Sequence, residues 1–119
     1  MIQPSNLLRR ARGLLAESQH WTQGDFARDR EGKSISASDE KAYCWCPMGA
    51  IFRCVPNTYD LDDRRGLIVA ADGLLADILK PGWAVVDDAS GVIAQWNDEE
   101  TRTHAEVLAA LDQAIIRAE

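Results

Sequence analysis

Cys44-Trp45-Cys46-Pro47-Met48-Gly49-Ala50-Ile51-Phe52-Arg53-Cys54-Val55 is the densest apolar block in the chain and contains all three of its cysteines. Pro47 has no backbone N–H to donate. The first helical turn is where that donor would go unpaired anyway, so the block reads as a short helix with Cys46 at its N-terminus. Gly49 and Ala50 make a small face that another backbone can approach closely, while Met48, Ile51, Phe52 and Val55 supply bulk on nearly every other side. A helix that is apolar nearly all round is expected in the interior. Pro56 and Asn57 end it by disfavouring helical geometry at Val55 and supplying turn chemistry. The fold class that follows is mainly α: a compact bundle of three amphipathic helices around this short buried central helix, with room for one small β-hairpin.

The three outer helices are read from spacing. Ser5 is the expected cap of the first, with Leu7, Leu8, Ala11, Leu14 and Leu15 on one face and an end near Ser18. Leu67, Ile68, Ala71, Leu74, Leu75, Ile78 and Leu79 mark the second, which stops at Lys80-Pro81-Gly82; Gly73 inside it suggests a close helix crossing. Thr103 and Glu106 form a capping box for the third, with Val107, Leu108, Leu111, Ala114, Ile115 and Ala118 facing inward. Between these, Trp21 is read as anchoring a loop through its indole N–H, and Phe26 to Ile35 as a short irregular hairpin, or a loop with at most two brief strands, centred on Glu31-Gly32. Ser38-Asp39-Glu40 is a helix-start signal that would carry Ala42, Tyr43 and Trp45 into the central block. Trp83 to Val86 fits a strand or a helical turn, Asp87 to Gly91 a turn, and Val92 to Trp96 a short apolar piece leading into Asn97-Asp98.

A length of 119 residues with 46% hydrophobic side chains predicts one domain over residues 1–119. No run reaches the roughly eighteen apolar residues of a membrane span, and Met1 to Leu15 lacks the apolar core of a secretory signal, so a cytoplasmic protein without a membrane role is expected. An odd number of cysteines, two of them one residue apart, predicts reduced thiols rather than disulfides. The net charge is −6, but residues 1–59 carry 8 basic and 6 acidic side chains whereas residues 60–119 carry 5 and 13. The second half alone therefore stands at −8, which argues against nucleic acid and favours a basic protein partner.

A thiol at a helix N-terminus feels the positive end of the helix dipole, so Cys46 is a candidate nucleophile, with His20 or His104 as base and Asn97 or Asp98 as orienting group. Against this, small cysteines among apolar neighbours are commonly buried and inert, which is the preferred reading. Cys44, Cys46 and Cys54 with one histidine miss the paired spacing of zinc sites, so no metal and no cofactor is predicted. Trp21, Trp96, Asn97 and Asp98 form a candidate pocket of two polar side chains beside aromatic walls; a turn with local side-chain hydrogen bonds is the plainer reading. His104 is expected to face solvent. The clusters Asp60-Asp62-Asp63, Asp87-Asp88 and Asp98-Glu99-Glu100 lack the glycine and final glutamate of a calcium loop and suit solvated faces and helix N-termini.

Trp21-Thr-Gln-Gly24, Tyr43-Cys-Trp-Cys46-Pro-Met-Gly49-Ala50-Ile51, and Trp96-Asn97-Asp98 followed by Thr103 and Glu106-Val107-Leu108 resemble, across nearly the whole chain, a small bacterial and phage family known as domain of unknown function 6197. Its pattern is W-x-x-G, aromatic-Cys-x-x-Gly-Ala, and W-N-D followed by T-x-x-E-V. The chain departs from it in placing Pro47 straight after the cysteine and in the extra cysteines at 44 and 54. The resemblance implies no activity; it implies that Trp21, Cys46, Gly49, Ala50, Trp96, Asn97 and Asp98 meet in the fold. The expected function is a small acidic, non-enzymatic protein-interaction module of phage or mobile-element origin, and the competing one is a thiol-dependent enzyme using Cys46 with a histidine base.

Overall fold

A computed structural model describes residues 1–85 and 88–119 of the chain. Among the described residues are five α-helices, α1 (Pro4–Leu14), α2 (Pro47–Cys54), α3 (Leu61–Leu79), α4 (Ala89–Asn97) and α5 (His104–Ala118). Two short strands, β1 (Ala27–Arg28) and β2 (Cys44–Trp45), pair antiparallel, and single 3-10 turns cover Ser18–His20 and Trp83–Val85. No described helix is long and apolar enough to cross a membrane.

Helix boundaries follow backbone chemistry. Pro4 takes the first position of α1, so Gln3 rather than Ser5 is the cap, and it caps without a side-chain bond. The helix ends at Leu14, a turn earlier than periodicity suggests, and the Leu15 N–H still reaches the Ala11 carbonyl at 3.1 Å. Asp60 Oδ1 accepts from the Asp63 N–H at 2.8 Å to start α3, and Asp88 Oδ1 accepts from the Gly91 N–H at 2.6 Å to start α4. Two of the acidic clusters thus supply helix caps. The Thr103–Glu106 capping box is present at the start of α5, and its hydrogen bonds from Thr103 hold the Glu106 carboxyl below its ordinary range.

The core lies where α1 packs on α5, α2 and α3, and where α3 in turn packs on α4 and α5. Leu7, Leu8, Leu15, Ile51, Ile93, Val107 and Leu111 are fully buried there. An ion pair between Arg12 and Asp112 at 3.0 Å and another between Arg9 and Glu119 join α1 to α5 at the surface.

Other expectations are corrected as well. The central helix is not enclosed: Ala50 and Ile51 are fully buried, but Phe52 on the next face is 41% exposed. Ser38-Asp39-Glu40 starts no helix. Asp39 Oδ1 accepts from the Lys41 N–H at 2.8 Å, a local bond that competes with helical hydrogen bonding, and Trp45 arrives on β2 with its indole donating to the Ala37 carbonyl at 3.0 Å. The apolar piece around Val92 to Trp96 belongs to α4, whose weak helix formers Ser90 and Gly91 hide it in the sequence. Val86 and Asp87, placed at sequence level in a short apolar segment and a turn, lie outside the described residues.

The hairpin expected at Phe26 to Ile35 survives as a bridge between Arg28 and Ser34, while β1 takes β2 as its main partner. At Gly73 the nearest atom to an added Cβ would be Cζ2 of Trp83, at 3.8 Å, so that glycine faces an indole rather than a helix crossing.

Candidate functional site

Cys46 caps α2, as Pro47 dictates. Its sulfur accepts from the Gly49 N–H at 3.3 Å and its own N–H donates to the Phe26 carbonyl at 3.2 Å. The same carbonyl lies on Gly49 so closely that a Cβ there would sit 2.0 Å from the oxygen. The small face of α2 is therefore the seat of the chain just before β1. The thiol is 6% exposed and lines a hollow of about 210 Å³ together with Asn97 and Asp98. Burial pushes its pKa up; the bond from Gly49 opposes this without cancelling it, and the Asp98 carboxylate adds to the rise. Desolvation outweighs the helix terminus.

Neither histidine lines that hollow. His20 Nδ1 lies 2.6 Å from the Tyr43 carbonyl, where only the imidazole can donate, and its ring meets Tyr43 edge-on. His104 Nε2 donates in the same way to the Leu15 carbonyl at 2.6 Å. His104 is thus half-buried, tying the start of α5 to the end of α1, and not the solvent-facing residue expected.

Asn97, at the last position of α4, is 1% exposed and fully engaged. Its Oδ1 accepts from the Trp21 indole at 2.8 Å, its Nδ2 donates to the Thr22 carbonyl at 3.1 Å, and its own carbonyl accepts from Gln23 Nε2 at 2.7 Å. Asp98 Oδ1 accepts from the Gly24 N–H at 2.9 Å, and Gly24 holds a φ of +85° that other residues rarely adopt. Trp96 lies under the Arg102 guanidinium, 3.8 Å from the ring centroid, and its carbonyl accepts from Arg102 Nε at 2.8 Å. These contacts stitch the loop of residues 21–24 to the end of α4.

The model of a family of unknown function, DUF6197, matches residues 1–117. The chain belongs to this family. No curated protein and no solved structure matches it. In this DUF6197 chain the three sequence blocks are parts of one joint. Trp21 bonds Asn97, Gly24 bonds Asp98, and Gly49 seats the segment that links the first block to the second.

Among the described residues no three His, Cys, Asp or Glu side chains converge as a metal ion would need. Cys44 and Cys54 are half-buried and unpaired, and burial raises the Cys54 thiol's pKa as it does that of Cys46.

The sequence reading passed over Asp72. Ile68, Ala71 and Leu75 put position 72 on the inward stripe of α3, so a carboxylate there is out of pattern. Asp72 is 7% exposed, its Oδ1 has no hydrogen-bond partner, and burial raises its pKa to about 7. It lines a slot of about 400 Å³ with Phe26, Ile35, Met48, Phe52 and Ile68. Beyond Phe52 and Ile68 lies a broader hollow, about 1130 Å³, that includes Leu61 and Val69.

Proposed function

We propose that this DUF6197 chain works by binding another protein through the face formed by α2 and the N-terminal half of α3. The observation that carries this reading is the exposure of large apolar side chains around one hollow: Phe52 at 41%, Leu61 at 77% and Val69 at 63%. Apolar side chains gathered in this way mark contact surfaces more often than solvated ones. The raised thiol pKa of Cys46, and two histidines engaged with backbone carbonyls elsewhere, support a module without chemistry of its own. The charge of −8 over residues 60–119 supports a basic partner, whose association would slow as salt rises.

Photo-crosslinking tests the reading. A p-benzoylphenylalanine probe at position 69 is expected to capture a protein in the producing cell, and the same probe at the exposed position 113 on α5 is not. Loss of the captured band on adding Leu61→Ser and Phe52→Ser would confirm the face; an absence of any band at 69 would remove it. The thiol-enzyme alternative rests on the Cys46 sulfur lining a hollow with Asp98. Alkylation separates the two: Cys46 is expected to label only after denaturation, and selective labelling of the native chain at neutral pH would reinstate the enzyme.

A further inference from the structure

The slot between α2, α3 and the segment around β1 is lined mostly by apolar side chains, with one carboxylate among them that the fold leaves with an unsatisfied oxygen. Asp72 is 7% exposed with Oδ1 unpartnered, and it lines the slot beside Phe26, Ile35, Met48, Phe52 and Ile68. A buried carboxylate oxygen without a donor carries its full desolvation cost, which a donor from outside would offset. An apolar side chain at this position of α3 would avoid that cost, so a carboxylate here is a feature in search of a partner.

We propose that the slot receives a lysine side chain of a protein partner, with its methylenes against Phe26, Met48, Phe52 and Ile68 and its ammonium on Asp72. This rests on the interaction reading above and names the group that the interaction recognises. Lysine combines an apolar stem with a charged tip, and the slot's lining combines the same two chemistries, apolar side chains and one carboxylate. Its compact ammonium has three donors for the Asp72 carboxylate and for Ser36 and Ser90, which also line the slot. Phe52 and Ile68 belong both to the slot and to the hollow bearing Leu61 and Val69, so one partner segment crossing α2 and α3 can engage both.

Titration of the full chain, followed by NMR, tests the proposal with three probes: N-acetyl-lysine methylamide, N-acetyl-norleucine methylamide and n-pentylamine. The lysine probe is expected to shift signals of Phe26, Met48, Ile68 and Asp72 and to bind about tenfold more tightly than the norleucine probe. Asp72→Asn should abolish that preference. Should this variant fail to fold, the Asp72 carboxyl carbon of the native chain reads the same contact, because its titration midpoint should fall when the lysine probe is bound. Equal binding of lysine and norleucine probes, or an unmoved carboxyl midpoint, would overturn the proposal. Tighter binding of n-pentylamine than of the blocked lysine would make the ligand a free amine and overturn the protein source. A lysine preference without a crosslink at position 69 would defeat the interaction reading alone, and a crosslink without a lysine preference would defeat the slot alone.

Discussion

Two regions flank Phe26 and treat polar groups in opposite ways. On one side, the joint of residues 21–24 with Asn97 and Asp98 matches donors to acceptors, so that Asn97 at 1% exposure uses its side-chain oxygen, its side-chain nitrogen and its carbonyl. On the other, the α2–α3 face leaves Leu61 and Val69 in water and Asp72 Oδ1 without a partner. Trp21, Gly24, Asn97 and Asp98 of the quoted blocks fall on the first side, while Met48 of the middle block lines the slot on the second. The contrast sets a satisfied joint against a face whose groups contradict their surroundings, apolar ones outside and a carboxyl inside, and it is on that face that the proposed partner would sit.

The largest test of that contrast is Gly49→Ala. Its Cβ would stand 2.0 Å from the Phe26 carbonyl oxygen, a backbone atom that cannot step aside, so the expected loss is about 4 kcal/mol or more by urea unfolding. A loss under about 1 kcal/mol would show that the crossing is loose.

The second test acts on the other side. The native chain holds the Asp72 proton up to about pH 7, whereas the unfolded chain releases it in the ordinary carboxylate range. Native protein therefore binds more protons between those values, and stability is full below the unfolded pKa and lost as pH rises through the folded one. The contribution is about 3–4 kcal/mol between pH 4 and pH 7.5, and Asp72→Asn should flatten it. A stability curve of equal slope in both proteins would mean that Asp72 finds a partner in solution.

Asn97→Ala comes third, with an expected loss of about 2 kcal/mol from leaving the Trp21 indole and the Thr22 carbonyl without their partner. Unchanged thermal stability would return Asn97 to the role of a displayed pocket residue. Smallest is Leu61→Ser with Val69→Ser, expected to alter stability by less than about 0.5 kcal/mol because both side chains are already in water. A large loss would show that they are buried in some assembled form of the chain.

Much of the architecture was legible in the sequence where a covalent constraint or strict period spoke. Pro47 placed the start of α2 and the cap at Cys46, Thr103 with Glu106 placed α5, and the stripe from Leu67 to Leu79 placed α3. Legibility failed where tertiary contacts overrule local preference. Ser90 and Gly91 disguise α4, which Val92 and Ile93 hold by burial, and Ser38 to Glu40 imitate a helix start that the side chain of Asp39 diverts into a turn. For the site, Trp21 was readable as an anchor, but its acceptor lies 76 residues away on Asn97, a distance that no local pattern encodes. Asp72 was readable from its stripe and passed unnoticed among better apolar neighbours.

The tryptophans carry a practical consequence. The indole N–H of Trp21 ends on Asn97, that of Trp45 on the Ala37 carbonyl and that of Trp83 on Asp77, at 2.8, 3.0 and 2.7 Å. Each proton sits at a different seam of the molecule. Their exchange with deuterated solvent would time the opening of each seam separately, so one nitrogen-edited spectrum gives this chain three internal clocks.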